Sequence, residues 1–294
     1  MRHLLHVWEM QKEKKALMKK IALGMVVASL VSTSAWAQEP TAARLKLDGA
    51  LAGVSFATAA PTQAAAEEEE SPVSVLVGAD FPSSYFFRGF RQEGDPKLTV
   101  QPFVDVAVAG EQVSFNVGVW NSLHTGSLKD ADAGFYETDF YVAATVGQVK
   151  ATYTAYMYPG FNDDTLATIH ELMLSTTFDH MLAPSVALAM EFAKPEGADK
   201  GVYLELGVAP AIPMSDDAPV SITIPVKVGL SLKDYYGEDT FGYVSAGISI
   251  GKSISDAFEI HGSATVFGFG DTLKFVNNDK AGQFVASVGA SVGF

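Results

Sequence analysis

The closing stretch, residues 283–294, constrains the fold most. Counting back from the carboxyl terminus, Phe294, Val292, Ala290, Val288, Ala286 and Phe284 fall on one face of an extended strand. Gly293, Ser291, Gly289, Ser287 and Gln283 fall on the other. A strand with one apolar and one small or polar face is half buried, and this one stops on an aromatic residue. An edge strand of a soluble sandwich would alternate in the same way, so the remaining chain must decide.

The alternation recurs from residue 73 onward in about twelve candidate strands, the first read as 73–90, most of them long enough for the roughly 9–11 residues that a tilted strand needs to cross a bilayer. One face carries Leu98, Val100, Val104, Val106 and Val108, then Val113, Phe115, Val117 and Val119, then Val186, Leu188, Met190 and Phe192. The facing set holds Thr99, Gln101, Asp105, Ser114, Asn116 and Glu191. Connections alternate between tight ones, such as Gly110-Glu111 and Gly147-Gln148, and mostly longer ones near 91–96, 124–135, 159–167, 195–200, 234–239 and 270–281. An up-and-down barrel in lipid has this asymmetry, with short turns on one side and longer loops on the other; a sandwich has no reason for it. Aromatic residues collect where strands meet the longer loops: Tyr85, Phe86, Phe87, Phe90, Phe135, Tyr136, Tyr156, Tyr158, Phe161, Tyr235, Tyr236, Phe241, Tyr243, Phe267, Phe269 and Phe275. Rings with an apolar body and a polar tip favour the headgroup level, so this grouping reads as an interfacial girdle at one rim. The expected fold is all-β, a transmembrane antiparallel up-and-down barrel of about twelve strands over 73–294.

The first residues bear on location. Met18-Lys19-Lys20, the apolar run Ile21–Val31, and Ala35-Trp36-Ala37 before Gln38 have the basic, apolar and small-residue regions of a secretory signal, too short to span a membrane as a helix. Residues 1–37 are expected to be a signal peptide cleaved after Ala37, and Met18 reads as an alternative start. Residues 38–72, rich in Ala and Thr and carrying Glu67-Glu68-Glu69-Glu70, read as a flexible acidic linker. With no cysteine in the chain, an exported product must be held by hydrogen bonds and packing alone. Six of the 20 bases and two of the 34 acids lie in residues 1–37, which leaves 14 bases and 32 acids, a net charge of -18. Such a chain repels nucleic acid.

Several short blocks in order resemble one family. They are Ser84-Tyr85-Phe86-Phe87-Arg88-Gly89, the strand end Trp120-Asn121-Ser122, Glu137-Thr138-Asp139, Tyr156-Met157-Tyr158-Pro159-Gly160 and Glu171-Leu172. They are similar to the signature blocks of the TorF-type porin family, whose first strand carries Ser-Asp-Tyr-x-x-Arg-Gly, its fourth Glu-x-Asp, its fifth a Tyr-Pro-Gly end and its sixth Glu-Leu. Here Ser84 stands where the family has Asp. The resemblance implies an outer-membrane barrel of about twelve strands with porin activity.

The polar face supplies the candidate pore lining: acids Asp105, Glu137, Asp139, Glu171, Glu191, Glu205 and Glu259, against Arg88, Lys150, Lys227 and Lys233. Rings of lumen charge select ions, and the competing reading of the same residues is an ion-pair network that plugs a narrow barrel. The longer loops add Glu93, Asp95, Asp130, Asp132, Asp163, Asp164, Glu196, Asp199, Asp234, Glu238, Asp239, Asp271 and Asp279 against Arg91, Lys97, Lys129, Lys200, Lys274 and Lys280. The expectation is a cation-preferring channel for passive diffusion of small hydrophilic solutes. Phe294 is expected to be the signal read by a barrel assembly machinery, and lipid, lipopolysaccharide and small cations are the expected partners. No cofactor or metal site is expected from the spacing of histidines and acids. His261, Glu259 and Ser263 share a face, the one arrangement that suggests a hydrolase; serine, threonine and acids are so common on that face that no catalytic residue is assigned.

Overall fold

The structure, a computed structural model, describes residues 72–93, 98–124, 136–161, 165–193, 200–215 and 219–294. The signal and linker expected over 1–72 thus lie almost wholly outside the described residues. So do loop residues Asp95, Lys97, Lys129, Asp130, Asp132, Phe135, Asp163, Asp164, Glu196 and Asp199.

The strands are β1 (Val73–Pro82), β2 (Phe86–Phe87), β3 (Phe90–Arg91), β4 (Thr99–Val108), β5 (Ser114–His124), β6 (Tyr136–Val146), β7 (Val149–Phe161), β8 (Thr165–Thr177), β9 (Ser185–Ala193), β10 (Val202–Val208), β11 (Val220–Thr223), β12 (Val226–Lys233), β13 (Phe241–Ser253), β14 (Phe258–Phe269) and β15 (Gly282–Gly293). A short helix, α1 (Asp271–Val276), precedes β15. Apart from the β2–β3 hairpin, all belong to one antiparallel sheet in which β13 also pairs with β14 and β15 pairs with β1. The sheet is therefore a closed ring. β11 and β12 form one stave: Thr223 faces Ser249 and Val226 faces Ala246 in unbroken register, with Pro225 at the interruption. Pro225 has no N–H to give the ladder, but its carbonyl still accepts from Gly247 N at 2.9 Å. Counting that stave once, the barrel has 12 strands, as the sequence pattern implies.

Closure runs from Leu76 opposite Gly293 to Pro82 opposite Ser287, and is extended by Phe294 N to Val75 O at 2.9 Å and Val75 N to Phe294 O at 3.1 Å. The apolar face points outward, with Val104, Val108, Phe115, Val117, Leu188, Met190, Phe192, Ile224 and Leu232 exposed, while Thr99, Gln101, Asp105 and Glu191 are buried inside. That inversion is the signature of a barrel wall built for lipid, where backbone groups pair within the ring and the polar face turns to the lumen.

Three glycines sit directly opposite an inward aromatic on the next strand: Gly78 opposite Phe103, Gly118 opposite Tyr141 and Gly229 opposite Tyr243. In each case the ring lies where a Cβ would stand, so the absence of a side chain lets the ring lie flat along the wall.

The first strand is shorter than the 73–90 expected from pattern. β1 ends at Pro82 and the chain turns inward as the β2–β3 hairpin, with Phe86 opposite Arg91 and Phe87 opposite Phe90. Its two turn residues, Arg88 and Gly89, have φ of 43° and 84°. Two consecutive left-handed residues make the tight turn that suits a two-residue hairpin. The longer run looked like one strand because its apolar residues continue, but they face the barrel interior from inside.

The aromatic girdle is corrected by the same observation. Tyr85, Phe86, Phe87, Phe90, Tyr156, Tyr158, Tyr235, Tyr236 and Tyr243 are buried, not interfacial. Phe90, Tyr203, Tyr235, Tyr236, Tyr243, Met173 and Leu273 of α1 form one cluster inside the end of the barrel that carries the longer connections. Exposed phenylalanines instead mark both rims, with Phe81, Phe192, Phe241 and Phe284 at the long-loop end and Phe115, Phe178, Phe258 and Phe294 at the short-turn end.

Candidate functional site

Arg88 is at the tip of the inward hairpin and is 3% exposed. Its Nη1 donates to Glu171 Oε2 at 2.7 Å and its Nη2 to Glu171 Oε1 at 2.9 Å, a two-pronged ion pair with β8. Nη1 also donates to Tyr235 Oη at 3.0 Å. The guanidinium carbon lies 4.3 Å from the Tyr203 ring centroid, 4.7 Å from Phe87 and 5.3 Å from Tyr235. Tyr156 Oη donates to Glu171 Oε1 at 2.9 Å and fixes the carboxylate. Arg88 and Glu171, both expected as pore lining, are thus paired with each other and buried inside the barrel.

Backbone bonds hold the hairpin. Tyr236 Oη donates to Arg88 O at 2.9 Å, Asn277 Nδ2 to Gly89 O at 2.7 Å, and Arg91 N to Asn277 Oδ1 at 2.9 Å. Glu93, expected as a loop acid at the mouth, has 0% exposure and closes the hairpin's base. Its Oε1 accepts from Tyr85 N and from Thr99 Oγ1, both at 2.6 Å. Burial pushes its carboxyl above the ordinary range, against the pull of those two donors and of Arg91. Asp239, also expected in a solvated loop, accepts from Thr272 N at 2.8 Å and Thr272 Oγ1 at 2.6 Å, tying the 234–240 connection to α1.

Of the other expected lining residues, the carboxylates Asp105, Glu137, Asp139, Glu191 and Glu205 are buried inside the barrel wall, and Lys233 is not. Glu137 and Asp139 are buried on one face of β6; Tyr85 Oη reaches Glu137 Oε1 at 3.3 Å. Neither carboxyl oxygen of Asp139 receives a hydrogen bond. Glu191 accepts from Gly201 N at 2.7 Å. Glu205 is paired with Lys227 at 3.0 Å and accepts from Tyr203 Oη at 2.8 Å and Tyr243 Oη at 2.9 Å. Asp105 accepts from Tyr141 Oη at 2.6 Å and Asn116 Nδ2 at 3.0 Å. Towards the short-turn end, Lys150 and Glu259 are half-buried, and the side chains of Lys227 and Glu259 keep 13% and 23% of their surface. Lys233 is exposed at the rim.

Sequence reasoning missed Asp80, which faces inward on β1 and meets His261 Nε2 at 2.8 Å, while His261 Nδ1 lies 3.9 Å from Glu259. Its signal was present, since Leu76, Gly78 and Asp80 share one face of β1. Ser263 Oγ, on the same face, has no hydrogen-bond partner. Tyr235, Tyr236 and Tyr243 were visible in sequence as aromatics near strand ends, but Tyr203 was not singled out, nor was the approach of Tyr203 and Tyr235 to one guanidinium.

Among solved structures, the chain is similar to an outer membrane channel from Pseudomonas putida F1, with 9% identity over 76% of this chain and 94% of that one and a TM-score of 0.43. It is similar to the beta domain of the Bordetella autotransporter BrkA, with 10% identity over 75% and 98% and a TM-score of 0.37. A third, the P. putida toluene transporter TodX, shows 7% identity over 76% and 91% with a TM-score of 0.34. No curated protein matches. Residues 66–284, nearly all of the barrel, match the family model described as a bacterial protein of unknown function (Gcw_chp), and the chain belongs to that family.

Proposed function

We propose that the protein is an outer-membrane, porin-like channel for passive movement of small hydrophilic solutes, cation-preferring, and closed by its inward hairpin at the long-loop end in this structure. The observation that carries this reading is the polar interior of a barrel with an apolar exterior. Eight carboxylates, Asp80, Asp105, Glu137, Asp139, Glu171, Glu191, Glu205 and Glu259, stand inside against Arg88, Lys150 and Lys227. A barrel serving only as a scaffold would be cheaper to fill with apolar side chains, because each buried charge loses hydration. An interior wetted in its open state explains the choice, and the carboxylate excess favours cations at close range. The resemblance to TorF-type porins supports the same reading. Both described ends of the chain lie at the short-turn end, which we assign to the periplasm; export by the 1–37 signal, assembly through Phe294, and contact with lipopolysaccharide and divalent cations at the rim belong to this proposal. We assign no enzymatic role.

The test is the reversal potential of refolded protein in a planar bilayer under a KCl gradient. A cation-selective sign that weakens in the Glu137→Gln/Asp139→Asn variant and at high salt supports the reading. An anion-selective sign rejects the charge argument. The fit of Arg88 into its cage favours one second reading, a permanently plugged structural barrel, for which the same measurement would find no conductance even after the hairpin is released by Arg88→Ala.

A further inference from the structure

The pocket that holds Arg88 has the composition of a cation receptor. A carboxylate presents both oxygens to one planar cation, a tyrosine oxygen accepts a third bond, and Tyr203 and Tyr235 set their ring faces 4.3 Å and 5.3 Å from the charge. These groups belong to the wall and rim of the barrel, on β8, β10 and the 234–240 connection, and not to the hairpin. Only Phe87 comes from the hairpin itself.

Two further observations point to a ligand. Arg88 has φ of 43°, a conformation that non-glycine residues adopt at a cost, so the residue is there for its guanidinium and not for its turn. Beside the pocket, on β6 next to the strand that carries Tyr156, Asp139 has 0% exposure and no hydrogen bond to either oxygen. Its side chain lies against the Glu137 carboxyl, and the pair offers more acceptor oxygens than donors reach. Glu137 and Glu171 are buried with it.

We propose that this pocket is the channel's recognition site for an organic cation bearing a guanidinium or primary ammonium group, with Arg88 occupying it as a tethered surrogate until a solute displaces it. The proposal rests on the channel reading and names its substrate class. A dication with guanidinium and ammonium ends suits it best, the first end meeting Glu171 and the aromatic faces, the second meeting Asp139. Displacing Arg88 removes the hairpin's ion-pair anchor and leaves only the bonds from Tyr236 and Asn277 to hold the tip, so the solute that fits the pocket weakens the latch on its own path.

The probe is agmatine, with K+ and tetramethylammonium as controls, titrated into refolded protein. Binding is followed by calorimetry and by the fluorescence of Trp120, whose ring centroid lies 5.5 Å from that of Tyr85 beside the hairpin. A tethered competitor acts at an effective concentration on the order of millimolar, so removing it should tighten binding about tenfold or more. Arg88→Ala is expected to bind agmatine at least that much more tightly than the wild type, and Arg88→Ala/Glu171→Gln to lose the gain. Arg88→Lys, which keeps a cation on the tip, guards against misfolding and should lie between them. Wild-type current should rise saturably with agmatine but not with the controls. Equal agmatine affinity in all variants, or equal effects of agmatine and tetramethylammonium, overturns the recognition site while a cation-selective current leaves the channel standing. Tight, Glu171-dependent binding with no current in any variant retains the site and overturns the channel.

Discussion

Glu171→Gln isolates the electrostatics of the hairpin. The substitution keeps side-chain volume but strands a guanidinium that has no neutral form at any accessible pH, in a site where it is 3% exposed. Removing one partner of a buried pair costs about 3–5 kcal/mol, and the Tyr235 oxygen and ring faces that remain hold the loss to the lower part of that range. The cost should appear locally, because the hairpin can leave while the closed ring of strands keeps every inter-strand bond. At about 1.4 kcal/mol per tenfold, amides of the hairpin should exchange roughly 10²- to 10³-fold faster. The reporters are Gln92 N, bonded to Tyr85 O at 2.9 Å, and Arg91 N, bonded to Asn277 at 2.9 Å. Mass-spectrometric exchange of the peptide covering 84–92 reads this directly, with β13 peptides as the unchanged reference. Arg88→Met, which leaves Glu171 its Tyr156 donor, should cost only about 1–3 kcal/mol. Arg88→Met/Glu171→Gln should be no worse than Arg88→Met alone, a coupling of about 2 kcal/mol in the double-mutant cycle. Unchanged exchange in Glu171→Gln, or additive losses in the double variant, would refute the idea that this pair latches the hairpin.

Three further outcomes are expected. Deleting Phe294 removes both backbone bonds to Val75 as well as an aromatic that is 77% exposed, whereas Phe294→Asp removes only the ring; comparing surface levels of the two with Ser291→Asp separates a seam defect from loss of an assembly signal, and equal levels in all three defeat both explanations. Gly118→Ala drives a methyl into the Tyr141 ring and pulls its hydroxyl off Asp105, which should cost about 1–3 kcal/mol and lower the temperature at which the unboiled protein loses its fast gel mobility, while the same change at Gly293, where a Cβ meets nothing, should not. Because burial raises the Glu93 carboxyl, the docked hairpin binds that proton more tightly than the released one; docking is strongest below the ordinary carboxylate range and weakens as pH rises through the raised value, so exchange of 84–92 should speed up over that window in the wild type and lose this step in Glu93→Gln.

Much of the architecture was readable in the chain. Strand period, the alternation of short and long connections and the aromatic terminus all follow from the demands of a closed sheet in lipid, which act on every residue and so leave a repeated signal. The lining carboxylates were readable for the same reason: Asp105, Glu137, Asp139, Glu171, Glu191 and Glu205 fall on the face opposite the apolar one. The interior of the long-loop end was not. Phe86, Phe87 and Phe90 continue an apolar run whether they face lipid or the lumen, and only the left-handed pair at Arg88 and Gly89 turns them inward. Tyr235 and Tyr236 share with true interfacial rings the same place at a strand end, and what separates them is a partner 147 positions away in sequence. Local pattern carries no information about such pairings. Glu93 shows the same limit, since a carboxylate in a connecting segment looks solvated until its own Tyr85 amide is found bonded to it.

The position of the hairpin in the chain sets an order of events during biogenesis. It follows β1, half of the seam that shuts the ring, yet its contacts are with β8, the 234–240 connection and the segment just before β15. Those contacts join residues separated by 83 to 188 positions, so none can form until most of the chain is threaded. Once β15 has zipped onto β1, a folded hairpin with three buried aromatic rings has no lateral way in. The way in is the long-loop end, so the plug is seated only when β8, the 234–240 connection and the segment before β15 stand together, as a bung is driven into a cask already hooped. A barrel made without Arg88 or Asn277 would close at the same seam with its interior in a different state.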